Sequence, residues 1–232
     1  MKTDPDKEVA AGPKTQAGTA MERSNLYGFL AAVFRGEPTA ALLREIREPA
    51  VQKALKAAGV DLDVGLDGRS EEDLLEGLAV EYTRLFIGPG RHIPPYAAVH
   101  LGGEGASLWG PETTWFKGFI EDAGFNYRPD YHDLPDHVSV EFEFMREITA
   151  REARALAEED EGRAKKLRRI EREFLGKHLA LWILEFCRKV AAEAELPFYR
   201  EVAVLTKGFV ESELADTSDH RQRVNRDRRA AG

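Results

Sequence analysis

In this 232-residue sequence the side chains best suited to chemistry are Asp136, His137 and Glu141. His137 and Glu141 stand four residues apart, so on a helix both can face one metal ion. A hydrolytic zinc site or a di-iron bundle needs further ligands converging from other helices, such as repeated Glu-x-x-His pairs, and that repetition is missing. The other histidines, His92, His100, His132, His178 and His220, follow no ligand spacing. The same three residues fit a plain structural role better than a metal site. Asp136 can cap a helix, His137 can bond across a loop, and Glu141 can pair with a cation or favour the positive helix end.

Nucleophilic chemistry has less support. Cys187 is the only thiol and lies within LALWILEFC, where a thiolate is poorly solvated, so it reads as a core residue with no disulfide partner in the chain. No serine sits in a G-x-S-x-G elbow, and Gly88-Pro89-Gly90 is not followed by the Lys-Ser/Thr pair of a phosphate-binding loop. A different signal comes from residues 88–112, rich in Gly and Pro yet carrying Pro94, Pro95, Tyr96 and Trp109, with Trp115 just beyond. Rigid rings on an adaptable backbone suit an extended peptide. They suit equally the plugging of the domain's own core beneath the loop.

The elements that must position these residues are helical. Leu26, Phe29, Leu30, Val33 and Phe34 recur at three-and-four spacing from Asn25 to Gly36, and Leu42, Leu43 and Ile46 continue the pattern. Pro49 opens a short helix that stops at Gly59, and 60–69 is loop. Ser70 and Asp73 resemble a capping box ahead of Leu74, Leu78, Tyr82 and Phe86. Trp115, Phe116, Phe119 and Ile120 mark a further helix, and Pro129 and Pro135 sit in a second loop. Asp136 is then expected to cap a long helix through Val138, Phe142, Met145 and Ile148. After Gly162, Leu167 to Phe186 forms a mostly buried helix, and a last one runs from Pro197 through Phe209. No strand-like alternation or internal repeat occurs. The expected fold is all-α, a single globular helical domain of about eight or more helices with a long Gly/Pro-rich loop. A flexible extension at 1–20 precedes the domain at 21–215, and a flexible basic tail at 216–232 follows it.

Charge narrows the partners. The net charge is −8, and residues 220–232 carry five arginines against one aspartate, which leaves the rest at −12. An acidic body disfavours nucleic acid and favours a cationic partner. No apolar run approaches the roughly 20 residues that span a bilayer, and the first 20 residues lack the apolar core of a secretory signal, so the chain is expected to stay where it is made.

Three segments together resemble the TorD/DmsD/NarJ family of redox-enzyme maturation chaperones: EYTRLFIGPGRHIPPY at 81–96, LPDHVSVEFEFM at 134–145 and FLGKHLALWILEF at 174–186. The resemblance covers roughly residues 21–215, and its most specific element is Pro-Asp-His followed by Val-x-x-Glu. It implies the TorD-like all-helical fold, cytoplasmic location and no enzymatic activity or cofactor. It further implies binding of the N-terminal twin-arginine signal peptide and the apo form of a molybdopterin oxidoreductase subunit until its cofactor is inserted and export is licensed. The implied peptide-binding residues are Pro95, Tyr96, Pro135, Asp136 and His137, with Pro94 and Glu141 in support and Asp136 meeting the arginines. Neither nucleic acid nor stable membrane insertion is implied, and the protein acts as monomer or dimer. The alternatives from the residues alone are a metalloenzyme using His137 and Glu141, or a helical protein-protein adaptor without a signal-peptide role.

Overall fold

The computed structural model describes residues 12–62, 69–103, 108–126 and 134–230, the last fourteen as backbone only. His132, Pro129, and the expectations for residues 1–11, 63–68, 104–107 and 231–232 lie outside them. The described residues form helices and loops without a strand; an isolated antiparallel bridge joins Tyr96 to His137. In chain order the helices are α1 (Pro13–Phe34), α2 (Ala40–Arg47), α3 (Pro49–Ala57), α4 (Glu71–Tyr82), α5 (Ala97–Leu101), α6 (Pro111–Asp122), α7 (Val138–Ala157), α8 (Glu161–Phe174), α9 (Ala180–Glu193) and α10 (Pro197–Ala230). Wider π-helical turns extend α4 at Thr83–Ile87 and join α8 to α9 at Leu175–Leu179.

Helix α7 packs along α1 on one side and α8 on the other, while α9 packs against α10 and α5. Their shared core is a chain of rings: Phe34 meets Phe86 at 6.0 Å and Phe186 at 5.6 Å, and Tyr82 meets Phe86 at 4.9 Å. Each fully buried ring of this kind stabilises the fold by about 1.5–3 kcal/mol. Cys187 is buried among them, and burial pushes its thiol far above the ordinary range. Val60 and Leu62, at the start of the expected loop, are also core.

Two helix boundaries differ from the sequence expectation. Helical backbone crosses both residue 21 and residue 215: α1 begins at Pro13 rather than near Asn25, and α10 continues to Ala230. The early turns of α1 have no apolar period, and a polar network anchors them instead. Arg23 places Nε 2.7 and 2.9 Å from the two Glu213 oxygens and Nη1 3.3 Å from Glu152, and its other nitrogen contacts Glu171. One turn on, Gly28 lets α1 approach α7 closely, because a Cβ there would lie 2.8 Å from the Arg146 side chain.

Glu81 performs a task that spacing alone does not reveal. Its side chain is 4% exposed, and its two oxygens accept the Glu195 and Leu196 N–H groups at 2.6 and 2.7 Å, just ahead of α10. Arg84 completes this latch, with Nη2 3.0 Å from Glu81 and 2.8 Å from the Glu193 carbonyl. Part of the Glu-Tyr-x-Arg pattern is thereby explained as a clamp between α4 and the start of α10.

Candidate functional site

The Gly/Pro-rich loop and the Pro135–His137 segment are knitted together by backbone. Pro95 O accepts Val138 N–H at 2.8 Å, and Asp136 O accepts Ala97 N–H at 3.1 Å. The Ile93 N–H, 2.7 Å from Leu85 O, ties the loop to the end of the α4 turn. Asp136 does not cap α7. That position belongs to His137, whose Nδ1 accepts the Ser139 N–H at 3.2 Å, while Asp136 Oδ2 reaches across to the Ala98 N–H at 2.8 Å and holds the first turn of α5. Sequence adjacency suggested the nearer helix; the loop fold presents Asp136 to the other one.

Asp136 is 0% exposed, and burial holds its carboxyl above the usual carboxylate range against the opposing pull of the Ala98 N–H. Among the described residues its Oδ1 is buried without a well-aligned hydrogen bond, and the Thr113 hydroxyl that lies beside it donates to Leu108 O at 3.2 Å. Pro95, Pro135 and His137 are also buried, and Pro94 and Tyr96 are half-buried. Tyr96 meets the His137 ring edge-on at 5.0 Å. The five residues expected to bind a peptide therefore do come together, but mostly beneath the surface.

Glu141, also 0% exposed, is the centre of a second set of contacts. Its Oε1 lies 2.8 Å from His178 Nε2 and its Oε2 accepts the Trp182 indole N–H at 3.1 Å. Burial opposes charge on His178, but Glu141, then Asp136 and Glu112, outweigh it and raise the imidazole above its ordinary value. The His178 ring is stacked between Trp115 at 4.9 Å and Phe116 at 5.6 Å. His100 lies over Trp182 at 5.3 Å and bonds Pro94 O through Nε2 at 2.8 Å, which links the Pro-Pro turn to the same cluster.

These contacts bear on the metalloenzyme alternative. Both Glu141 oxygens are engaged by His178 and Trp182, and His137 Nδ1 faces Ser139 at 2.8 Å. Among the described residues no group of three or more His, Cys, Asp or Glu side chains is arranged to hold a metal ion.

Several large apolar side chains on the segments that carry these residues are exposed. Trp109 is 67% exposed, Leu181 61%, Leu108 46% and Trp115 39%. Leu108 is tied to α6 through Thr113, Trp115 rests on His178, and Leu181 follows His178 by three residues at the start of α9. The ring-bearing loop residues thus divide between the two open readings: Trp109 is exposed and Pro95 is packed inside. Glu112, His178 and Trp182 were not singled out as site residues. Glu112 carried a signal in its i, i+3, i+4 spacing to Trp115 and Phe116 on α6, whereas His178 and Trp182, four residues apart in an apolar stripe, read as core.

Among known proteins, the sequence profile of the family described as "Nitrate reductase delta subunit" matches residues 39–188. The chaperone protein TorD of Shewanella loihica is 27% identical over 145 residues, 60% of this chain and 62% of that one. The perchlorate reductase assembly chaperone protein of Dechloromonas aromatica is 30% identical over 100 residues, 43% of this chain and 44% of that one. The chain thus spans less than two thirds of the length of these two relatives, whereas the TorD chaperone of Shewanella piezotolerans aligns over 88% of this chain and 94% of its own at 25% identity. A solved structure, of a candidate redox enzyme maturation protein from Archaeoglobus fulgidus, covers 82% of this chain and 93% of its own at 24% identity with a TM-score of 0.49. With 150 consecutive residues, well over half the chain, matching one profile, the chain belongs to the nitrate reductase delta subunit family, the group that includes TorD- and NarJ-type chaperones.

Proposed function

We propose that this protein is a cytoplasmic chaperone that binds the twin-arginine signal peptide and the apo form of a molybdopterin oxidoreductase subunit, without catalysis or a cofactor of its own. The single observation that carries this reading is Trp115, 39% exposed and stacked on the His178 that the buried Glu141 and Asp136 hold toward its charged form, with Leu108 and Trp109 also exposed just ahead of the same helix. A signal peptide offers the complement, paired guanidinium groups followed by an apolar stretch. Tryptophan is among the residues enriched at the energetic centres of binding surfaces. The names of relatives point the same way, being those of chaperones, one of them for assembly of a reductase. Among the described residues no helix is long and apolar enough to cross a membrane.

On this reading Pro95, Tyr96, Pro135, Asp136 and His137 form the floor of the peptide site, and Pro94 and Glu141 fix that floor. Asp136, being fully buried, acts on the arginines from beneath rather than as a rim contact. The test is calorimetry with the signal peptide of a molybdoenzyme that co-purifies with the protein. Trp109→Ala is expected to cost about 2 kcal/mol, roughly thirtyfold in affinity, as for a central aromatic anchor. Asp136→Ala is expected to weaken binding while circular dichroism still reports a helical fold. Unchanged affinity in both variants would remove this face as the binding site.

A further inference from the structure

Among the described residues, two carboxylate oxygens of side chains that favour charge on His178 are buried without a well-aligned hydrogen bond: Asp136 Oδ1, which has the Thr113 hydroxyl beside it, and Glu112 Oε2. A buried acceptor left unpaired is destabilising, and two of them on side chains that act on one ring is an arrangement that a ligand donor would relieve. Glu112 belongs to the first turn of α6, and Trp115 and Phe116 follow it by three and four residues, so all three line the same side of that helix. That side faces His178, on which both rings stack. Glu141, Asp136 and Glu112 all act on the one imidazole, each favouring its charged form.

Resting on the signal-peptide reading above, we propose that Glu112 and Asp136, with the Trp115 indole as one wall, form the seat for a single guanidinium group of the client peptide. A guanidinium suits this place better than an ammonium. It is planar, presents donors in a fork that two carboxylate oxygens can share, and stacks on an indole face. Entry is from the rim, where Glu112 is only half-buried and Trp115 is 39% exposed. The arginine reaches Glu112 first and the deeper Asp136 oxygen second. His178, held by Glu141 from below, fixes the Trp115 ring in place, which makes it a positioning residue.

Two probes separate this seat from the broader reading. The first is L-argininamide, followed by the indole N–H signal of Trp115 in nuclear magnetic resonance, with assignment by Trp115→Phe. Wild type is expected to show a saturable shift that lysinamide does not reproduce and that Glu112→Gln abolishes. The second is the co-purifying client's signal peptide, for which Glu112→Gln is expected to weaken binding about tenfold or more, whereas Glu161→Gln, an exposed acid on α8, leaves it unchanged. A peptide that binds wild type and Glu112→Gln equally, with no argininamide shift at Trp115, overturns the seat and leaves the signal-peptide reading standing. An argininamide shift lost in Glu112→Gln, with no binding of any signal peptide, keeps the seat and overturns that reading instead.

Discussion

Replacing His178 by Phe retains an aromatic ring between Trp115 and Phe116 but removes the nitrogen 2.8 Å from Glu141. The Glu141 carboxylate, 0% exposed, then keeps the Trp182 N–H alone. Breaking a buried pair in this way costs about 3–5 kcal/mol when the remaining charge has no escape. Here it has one, because Glu141 can take up a proton. At pH 7 protonating a carboxyl with an ordinary value of 4.5 costs about 3.4 kcal/mol, which sets the ceiling; at pH 5 the same step costs about 0.7 kcal/mol. The variant is therefore expected to lose about 3 kcal/mol at pH 7 and to regain most of it by pH 5. The sign follows from Glu141, whose value in the fold is raised by burial, so its contribution to stability falls as pH rises above 4.5. In the wild type the raised His178 contributes fully below its unfolded value of 6.5 and is lost only as pH rises through its higher folded value. Below pH 6.5 the His178 contribution is constant and proton uptake by Glu141 alone closes the gap between the two proteins. Urea unfolding of both at pH 7, 6 and 5 checks this. A variant within 1 kcal/mol of wild type at pH 7, or a loss that stays constant down to pH 5, would refute the claim that His178 is what keeps the buried Glu141 charged.

Glu81→Ala should destabilise the protein by about 2–3 kcal/mol, because the Glu195 and Leu196 N–H groups lose a charged acceptor yet lie near enough to solvent to regain water. Denaturant titration gives the magnitude, and faster amide exchange at residues 195 and 196 locates it; unchanged exchange there would contradict the latch. The Cys187 thiol, buried and with its ionisation suppressed, should react with a thiol reagent at neutral pH only as fast as the protein opens. Labelling of the native protein at the rate of the urea-unfolded chain would contradict that placement.

Helices whose burial follows from their own apolar period were legible in the sequence. Leu42, Leu43 and Ile46 all face the core of α2, and Ser70 does accept the Asp73 N–H at 3.1 Å at the start of α4. What escaped was decided by partners distant in the chain. The first turns of α1 show no apolar stripe, and Arg23 finds its carboxylates on α7, α8 and α10. Glu141 and His178 lie 37 residues apart, so spacing showed one near a helix start and the other in an apolar stripe without pairing them. Asp136 sits one residue before the actual cap of α7, and only the course of the Gly/Pro loop turns its carboxylate to α5. The exposure of Trp109 against the burial of Pro95 likewise depends on that course, to which local composition is blind.

From Glu161 to Glu193 the chain is one unbroken rod whose middle is the wide turn at Leu175–Leu179. Such a turn holds one residue more than an α turn, and each residue of a helix advances about 100° around the axis. The rod therefore runs on two phases. Before the turn Phe174 is aimed at Phe144 of α7, 5.1 Å away; after it Trp182 and Phe186 are aimed at His100 on α5. Excising one residue, for instance Gly176, would restore a single phase while hardly changing composition or length. Every side chain beyond the turn would then be rotated by about a quarter of a revolution, and Leu181, now outward, would exchange places with core residues. The outward aim of Leu181 and the inward aim of Trp182 are two readings of the same dial, set by one extra residue in the wide turn.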